Sequence, residues 1–260
     1  MRRRGGTRGI SLGRPFGIRV RMDPSWLVII VLVGIATNST FREAYPFESG
    51  PVTASMAVAT TLLFCLSLVG HELGHAVLAR RLGIPVRGIT LFLFGGVSEI
   101  SHEVRVPRDE FAIALIGPLV SVFLGGAFAL FSALGSRLGW IPLEGVGASL
   151  AGVNGILAMF NLVPGLPLDG GRLLRSGIWG LTGNHARSTR IAVAGGRLAA
   201  LGLLIWGAVR VFNGDVFGLW FGFVALFLDG AARASGRSTE DGRRAVALDP
   251  DEGPDAQPRA

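Results

Sequence analysis

The chain has 260 residues, 50% of them hydrophobic and only 17% charged, with a formal net charge of +7. Mean hydropathy is +0.51. Soluble domains carry nearer a quarter of charged residues, so an ordinary soluble globular domain is excluded. Several apolar runs approach the ~20 residues that cross a ~30 Å hydrocarbon core, which points to an all-α polytopic membrane protein. Every basic residue is an Arg, with no Lys at all. These arginines lie between the apolar runs, where membrane topology accounts for them, and no nucleic-acid partner is expected. The single cysteine, Cys65, excludes both a disulfide framework and a Cys-based zinc site.

Residues 1–24 are polar, basic and Gly-rich and are expected to form a cytoplasmic or interfacial segment. The first apolar run, about Ser25 to Thr37, lacks a small-residue cleavage site and reads as an uncleaved first span. Residues 38–51, with Pro46, Gly50 and Pro51, read as a loop. The second span runs from about Val52 to Leu82 and is stopped by Gly83 and Pro85. Residues 86–106 change character: Arg87 to Ile100 reads as two short strands around Gly95-Gly96. An open sheet edge cannot face lipid, so this hairpin must be interfacial, covered by protein or paired with another chain.

A third span is expected from Asp109 to about Gly135, with a kink at Gly117-Pro118, and a fourth from Val146 to about Val163. A Pro/Gly-rich elbow, Pro164 to Gly171, leads into a short helix over Arg172–Gly180. Fifth and sixth spans are expected over Ile191–Val211 and Val216–Ala232. The domain reading is thus a basic segment (1–24), a six-span domain (25–234) and a polar tail (235–260) expected to be disordered. With the N-terminus inside, the outside loops hold only Arg42, Arg137 and Arg210, so six spans with both ends cytoplasmic satisfy the positive-inside rule.

His71-Glu72-Leu73-Gly74-His75 lies at the end of the second span. The H-E-x-x-H spacing puts two imidazoles on one face of a helix, one turn apart, able to share one Zn²⁺ while Glu72 acts on water. Ionisable groups are costly in such a run, which makes this cluster a functional-site candidate. A catalytic zinc commonly has three protein ligands, so a third must come from elsewhere. Asp169, in the elbow, is one candidate; its residue type fits equally well as the N-cap of the short helix. Asn154 suits an interhelical hydrogen bond, and Asn161 suits either that role or a site role. His102 and His185 read as loop and turn residues, and Asp229 as the partner of an Arg.

Together, HELGH at the end of a span, Phe94-Gly95-Gly96-Val97, Ala114-Leu115-Ile116-Gly117-Pro118 and the stretch Asn161 to Arg172 resemble the site-2 protease family of intramembrane zinc metalloproteases. The similarity covers roughly residues 15–235 and is to the compact six-span subgroup without a PDZ domain. The resemblance implies one Zn²⁺ held by His71, His75 and Asp169, with Glu72 as general base and Asn161 holding the substrate or the oxyanion. It implies an endopeptidase that cleaves membrane-protein substrates within the bilayer near the cytoplasmic face, and leaves room for a homodimer or a regulatory membrane partner. A catalytically silent scaffold that binds transmembrane helices is the alternative, as is a metal transporter. The scaffold predicts loss of Glu72 or a ligand, and the transporter needs a second polar relay; neither feature is present.

Overall fold

A computed structural model describes residues 9–92, 95–100 and 104–248. Residues 93–94 of the expected hairpin, His102 and the last residues of the tail therefore lie outside the described residues. The chain divides into two compact units, 1–160 and 161–260. The break falls at the last residue of a helix, three residues before Pro164 opens the Pro/Gly elbow.

The first unit opens with β1 (Ile10–Gly13) and β2 (Val20–Met22), then α1 (Trp26–Ala44) and α2 (Gly50–Arg81). β3 (Val86–Phe92), β4 (Gly95–Ile100), α3 (Pro107–Leu138) and α4 (Ile141–Asn161) follow. The basic N-terminal segment is thus not plain coil. β1 and β2 pair antiparallel, and β2 runs parallel to β3 with Val20 opposite Ile89. The strand order is β1-β2-β3-β4. Ile18, Val20 and Met22 bury against Ile89, Leu91 and the α2 residues Cys65, Leu68 and Ala76. That burial drives strand formation despite the intervening arginines, which occupy the alternate positions. It also covers one sheet face with protein, as strands near a bilayer require. Gly95 and Gly96 do not form the hairpin turn: they open β4, paired with Phe92 and Leu91.

Asp23 accepts a hydrogen bond from the Ser25 amide at 2.9 Å as the chain leaves β2 for α1. Hydrogen bonding with Ser25 holds the Asp23 carboxyl below the usual carboxylate range. A second core joins Phe41, Met56 and Ala57 to Tyr45, Val52, Ile141 and Val146, tying α1, α2 and α4. Asn154, fully buried, donates to the Leu150 carbonyl (2.9 Å) and to Ser67 Oγ on α2 (3.3 Å), the interhelical role expected of it.

The second unit contains the elbow, α5 (Asp169–Thr182), α6 (His185–Phe212) and α7 (Gly218–Leu248). The elbow lies on α6: the Leu166 amide donates to the Ala192 carbonyl at 3.0 Å. Asn184 caps α6 by accepting from the Arg187 amide at 2.9 Å, and the His185 ring meets Trp179 edge-on, centroids 4.7 Å apart. α6 and α7 approach closely where Gly207 faces Gly218, since neither carries a Cβ to hold the backbones apart.

Among the described residues five helices, α1, α2, α3, α4 and α6, are long and apolar enough to cross a membrane. α7, the counterpart of the expected sixth span, meets Asp229 after eleven helical residues. It also continues to Leu248, across the first part of the segment expected to be disordered. Half of residues 235–248 are Arg, Glu, Ala or Leu, all good helix formers.

Candidate metal centre

α2 and α3 build the centre of the first unit. α2 carries His71, Glu72 and His75; the two imidazoles are buried and Glu72 is half-buried. The i, i+4 spacing puts both rings on one face, with centroids 5.0 Å apart in an edge-to-face arrangement. α3 fixes each ring from behind. His75 Nδ1 lies 2.5 Å from the Ile113 carbonyl oxygen, and His71 Nδ1 lies 2.9 Å from Ser121 Oγ.

The carbonyl can only accept, so Nδ1 of His75 carries the hydrogen and Nε2 presents a lone pair. Ser121 Oγ can accept from His71 Nδ1 or donate to it, and the Nδ1–H tautomer, in which it accepts, presents a second lone pair. The two Nε2 atoms stand 3.3 Å apart. Two lone pairs that close in a buried setting repel unless a cation or a proton lies with them. Outer partners that set tautomer and ring direction are what metal-binding histidines have. The donor set therefore fits a divalent, imidazole-binding metal.

Gly117 completes this arrangement from α3. A Cβ there would collide with Nε2 of His75 and lie 2.7 Å from Nε2 of His71. Pro118 follows, and its missing N–H releases the Ala114 carbonyl from the helix ladder, one residue from the carbonyl His75 uses. Gly96 plays the matching part beside Glu72. A Cβ at Gly96 would collide with Glu72 Cγ and come within 2.7 Å of Cδ, so β4 is backbone-close to the carboxylate.

Ser121, the Ile113 carbonyl and the two glycines were not singled out in the sequence as site components. Gly117-Pro118 reads there as a kink and as part of the family resemblance, and a Ser inside an apolar span is the one signal that could have pointed to Ser121.

Asp169 and Asn161 belong to the second unit. Asp169 is buried at the first residue of α5, with Arg172 one turn on at 4.0 Å. The cap position itself is Leu168, without a side-chain cap hydrogen bond, so Asp169 is not the N-cap. Asn161 is half-buried at the last residue of α4.

The family model Peptidase family M50 matches residues 59–140 and 139–204. The chain belongs to peptidase family M50. Rip3 of Mycobacterium tuberculosis is 37% identical over 229 residues, 86% of this chain and 58% of Rip3. The zinc metalloprotease MJ0392 of Methanocaldococcus jannaschii is 34% identical over 207 residues, 78% of this chain and 55% of that protein. The chain therefore spans little more than half the length of these relatives. The solved site-2 protease from M. jannaschii superposes with a TM-score of 0.61 at 26% identity, over 88% of this chain and 95% of that one. Five apolar helices and M50 membership make the chain a multi-pass membrane protein.

Proposed function

We propose that this chain is a zinc-dependent intramembrane endopeptidase that cleaves membrane-protein substrates within their transmembrane segments, near the cytoplasmic face. The observation that carries the reading is the buried His71–His75 pair, with both Nδ1 atoms engaged and the Nε2 atoms converging, beside Glu72. Two imidazoles leave a catalytic zinc short of the usual three protein ligands. Asp169 is the third: a buried carboxylate at the start of α5, in the stretch that resembles the site-2 protease motif.

Zinc supplies, when bound, a Lewis acid that activates water and the scissile carbonyl. Glu72 accepts the proton that the attacking water loses and delivers it to the leaving amine nitrogen. Its carboxylate sits one residue from His71, and Gly96 leaves it the room a Cβ would take. The Asn161 amide donates to the carbonyl oxygen as negative charge develops there. Ser121 and Ile113 keep the imidazole rings from turning.

A helical substrate hides its carbonyls in its own ladder, so it must be extended to be cut. β4 is a sheet edge among the described residues and lies against Glu72 at Gly96. An extended substrate segment adds to that edge as a further strand. The arginine distribution supports a topology with both chain ends on the cytoplasmic side of a cell membrane.

Glu72→Gln in the purified chain is the test. It should keep its zinc, measured by elemental analysis, and lose cleavage of a single-span substrate by about 10³-fold, within the range expected of a lost general base. Near-normal turnover in that variant refutes the assignment.

A further inference from the structure

A groove of about 600 Å³ runs along α6 and α7 within the second unit, a size typical of small-ligand sites. Ala200 and Ala225 are buried at its base. Leu198, Leu201, Leu204 and Leu226 line it and remain exposed, Leu198 at 69% and Leu226 at 66%. At one end stand Arg197, Asp229 and Arg233. Arg197 Nε donates to Asp229 Oδ1 at 3.2 Å, and Arg233 Nη2 pairs with Oδ2. One carboxylate thus serves two guanidinium groups, and the cluster carries a net positive charge. Each guanidinium has five donors, of which these contacts use few.

The depth of this cluster is unusual. Arg210 pairs with Asp215 at the α6–α7 turn and lies over the Trp206 ring, which marks one membrane interface. Arg197 is thirteen residues before Arg210, or about 20 Å along a helix. The hydrocarbon layer is ~30 Å thick. The arginines therefore stand about 10 Å short of the opposite headgroup level, next to exposed leucines. An excess cation in that position draws an anion to itself.

We infer that this groove binds an anionic phospholipid, its phosphate held by Arg197 and Arg233 and one acyl chain laid along Leu198, Leu201, Leu204 and Leu226. A zwitterionic lipid brings its own cation and leaves the cluster uncompensated. A free phosphate ion satisfies the arginines but leaves the leucine groove empty. The site is separate from the proteolytic reading, so it is measured without substrate.

The test is native mass spectrometry of the full detergent-purified chain, titrated with dioleoyl phosphatidylglycerol, dioleoyl phosphatidylcholine or inorganic phosphate. Wild type should retain phosphatidylglycerol at least tenfold better than phosphatidylcholine, and inorganic phosphate should not displace it. Arg197→Gln and Arg233→Gln each leave one neutral Arg–Asp pair, so either should bring the two lipids to parity. Leu201→Trp should fill the groove and lower phosphatidylglycerol retention while sparing the charges; thermal melting of each variant checks that it is folded. Equal retention of both lipids by wild type overturns the inference, as does an undiminished preference in the folded arginine variants. Displacement by inorganic phosphate would assign the arginines to a free anion instead. A dimer cross-linked in the Leu198→Cys/Leu226→Cys variant, with lipid excluded, would assign the groove to a second copy.

Discussion

Gly117→Ala is the sharpest perturbation available, because it adds one carbon at the face where two imidazoles meet. The added Cβ would collide with His75 Nε2 and lie 2.5 Å from His75 Cε1 and 2.7 Å from His71 Nε2. Comfortable separations are about 3.5 Å, so a ring must retreat by about 1 Å. The rings are tethered behind by Ile113 and Ser121, so that retreat breaks a hydrogen bond or turns a ring off its axis. Ligand distances in metal sites tolerate about 0.2 Å. Loss of an outer partner alone costs roughly 10–100-fold in metal affinity, and this change moves the donors themselves. Zinc affinity should therefore fall at least about 100-fold, which is ~2.7 kcal/mol. Overpacking adds an unfolding cost of about 1–3 kcal/mol to the metal-free protein. The assay is zinc competition against a chromophoric chelator, with thermal unfolding of the metal-free chain alongside. Gly126→Ala on the same helix is the control: nothing lies within 4 Å of its Cβ, so it should bind zinc normally. Wild-type affinity in Gly117→Ala would refute the assignment of the Nε2 face as the metal side of the pair.

Other outcomes follow from the same geometry. Gly96→Ala pushes into Glu72 Cγ and Cδ but leaves the imidazoles alone, so cleavage should fall about tenfold or more while bound zinc stays stoichiometric; joint loss of zinc and activity would show that β4 supports the ligands instead. Asp169→Ala should cut zinc content and abolish cleavage, whereas full retention of both would leave Asp169 a helix-start residue paired with Arg172 and send the search for a third ligand elsewhere. Phe47, fully exposed between α1 and α2, should react as Phe47→Cys with an impermeant thiol reagent from outside the cell only; labelling from the cytoplasm would invert the topology and place His71 near the opposite face.

What the sequence disclosed follows the range of the interactions involved. His71, Glu72 and His75 were legible because the helix repeat alone brings residues i and i+4 together. Cys65 read as a small buried hydrophobe and is one, within the sheet–α2 core. The Arg partner expected for Asp229 proved to be two, since only the α6–α7 pairing brings Arg197 alongside Arg233. β1 and β2 were not legible. Arg14, Arg19, Arg21, Gly13 and Pro15 suggest coil, and the pairing that overrides them joins Val20 to Ile89, sixty-nine residues away. The two strands were placed correctly, but Gly95 and Gly96, read as the centre of the hairpin, are paired within β4. Gly-Gly is a turn signal by local rules, whereas here the glycine requirement comes from Glu72 on another element.

The same distinction separates the two classes of site residue. The groups that carry the proposed chemistry, His71, Glu72, His75, Asp169 and Asn161, have side chains whose reactivity is visible in a string of letters. The groups that make the chemistry geometrically possible have almost no side chain to read: a backbone carbonyl at Ile113, a hydroxyl at Ser121, and hydrogen atoms where Gly96 and Gly117 lack a Cβ. In a membrane interior, where each polar atom must be satisfied within the protein, these supports do two jobs. They neutralise the cost of burying two imidazoles and they aim the lone pairs that remain. A protein that needed only helix packing at this point could use Ala at 117 and Leu at 71 and 75, at lower cost in buried polar surface. Keeping two imidazoles here with their Nδ1 atoms engaged, and a glycine against their Nε2 atoms, is therefore an arrangement for a ligand and not for stability.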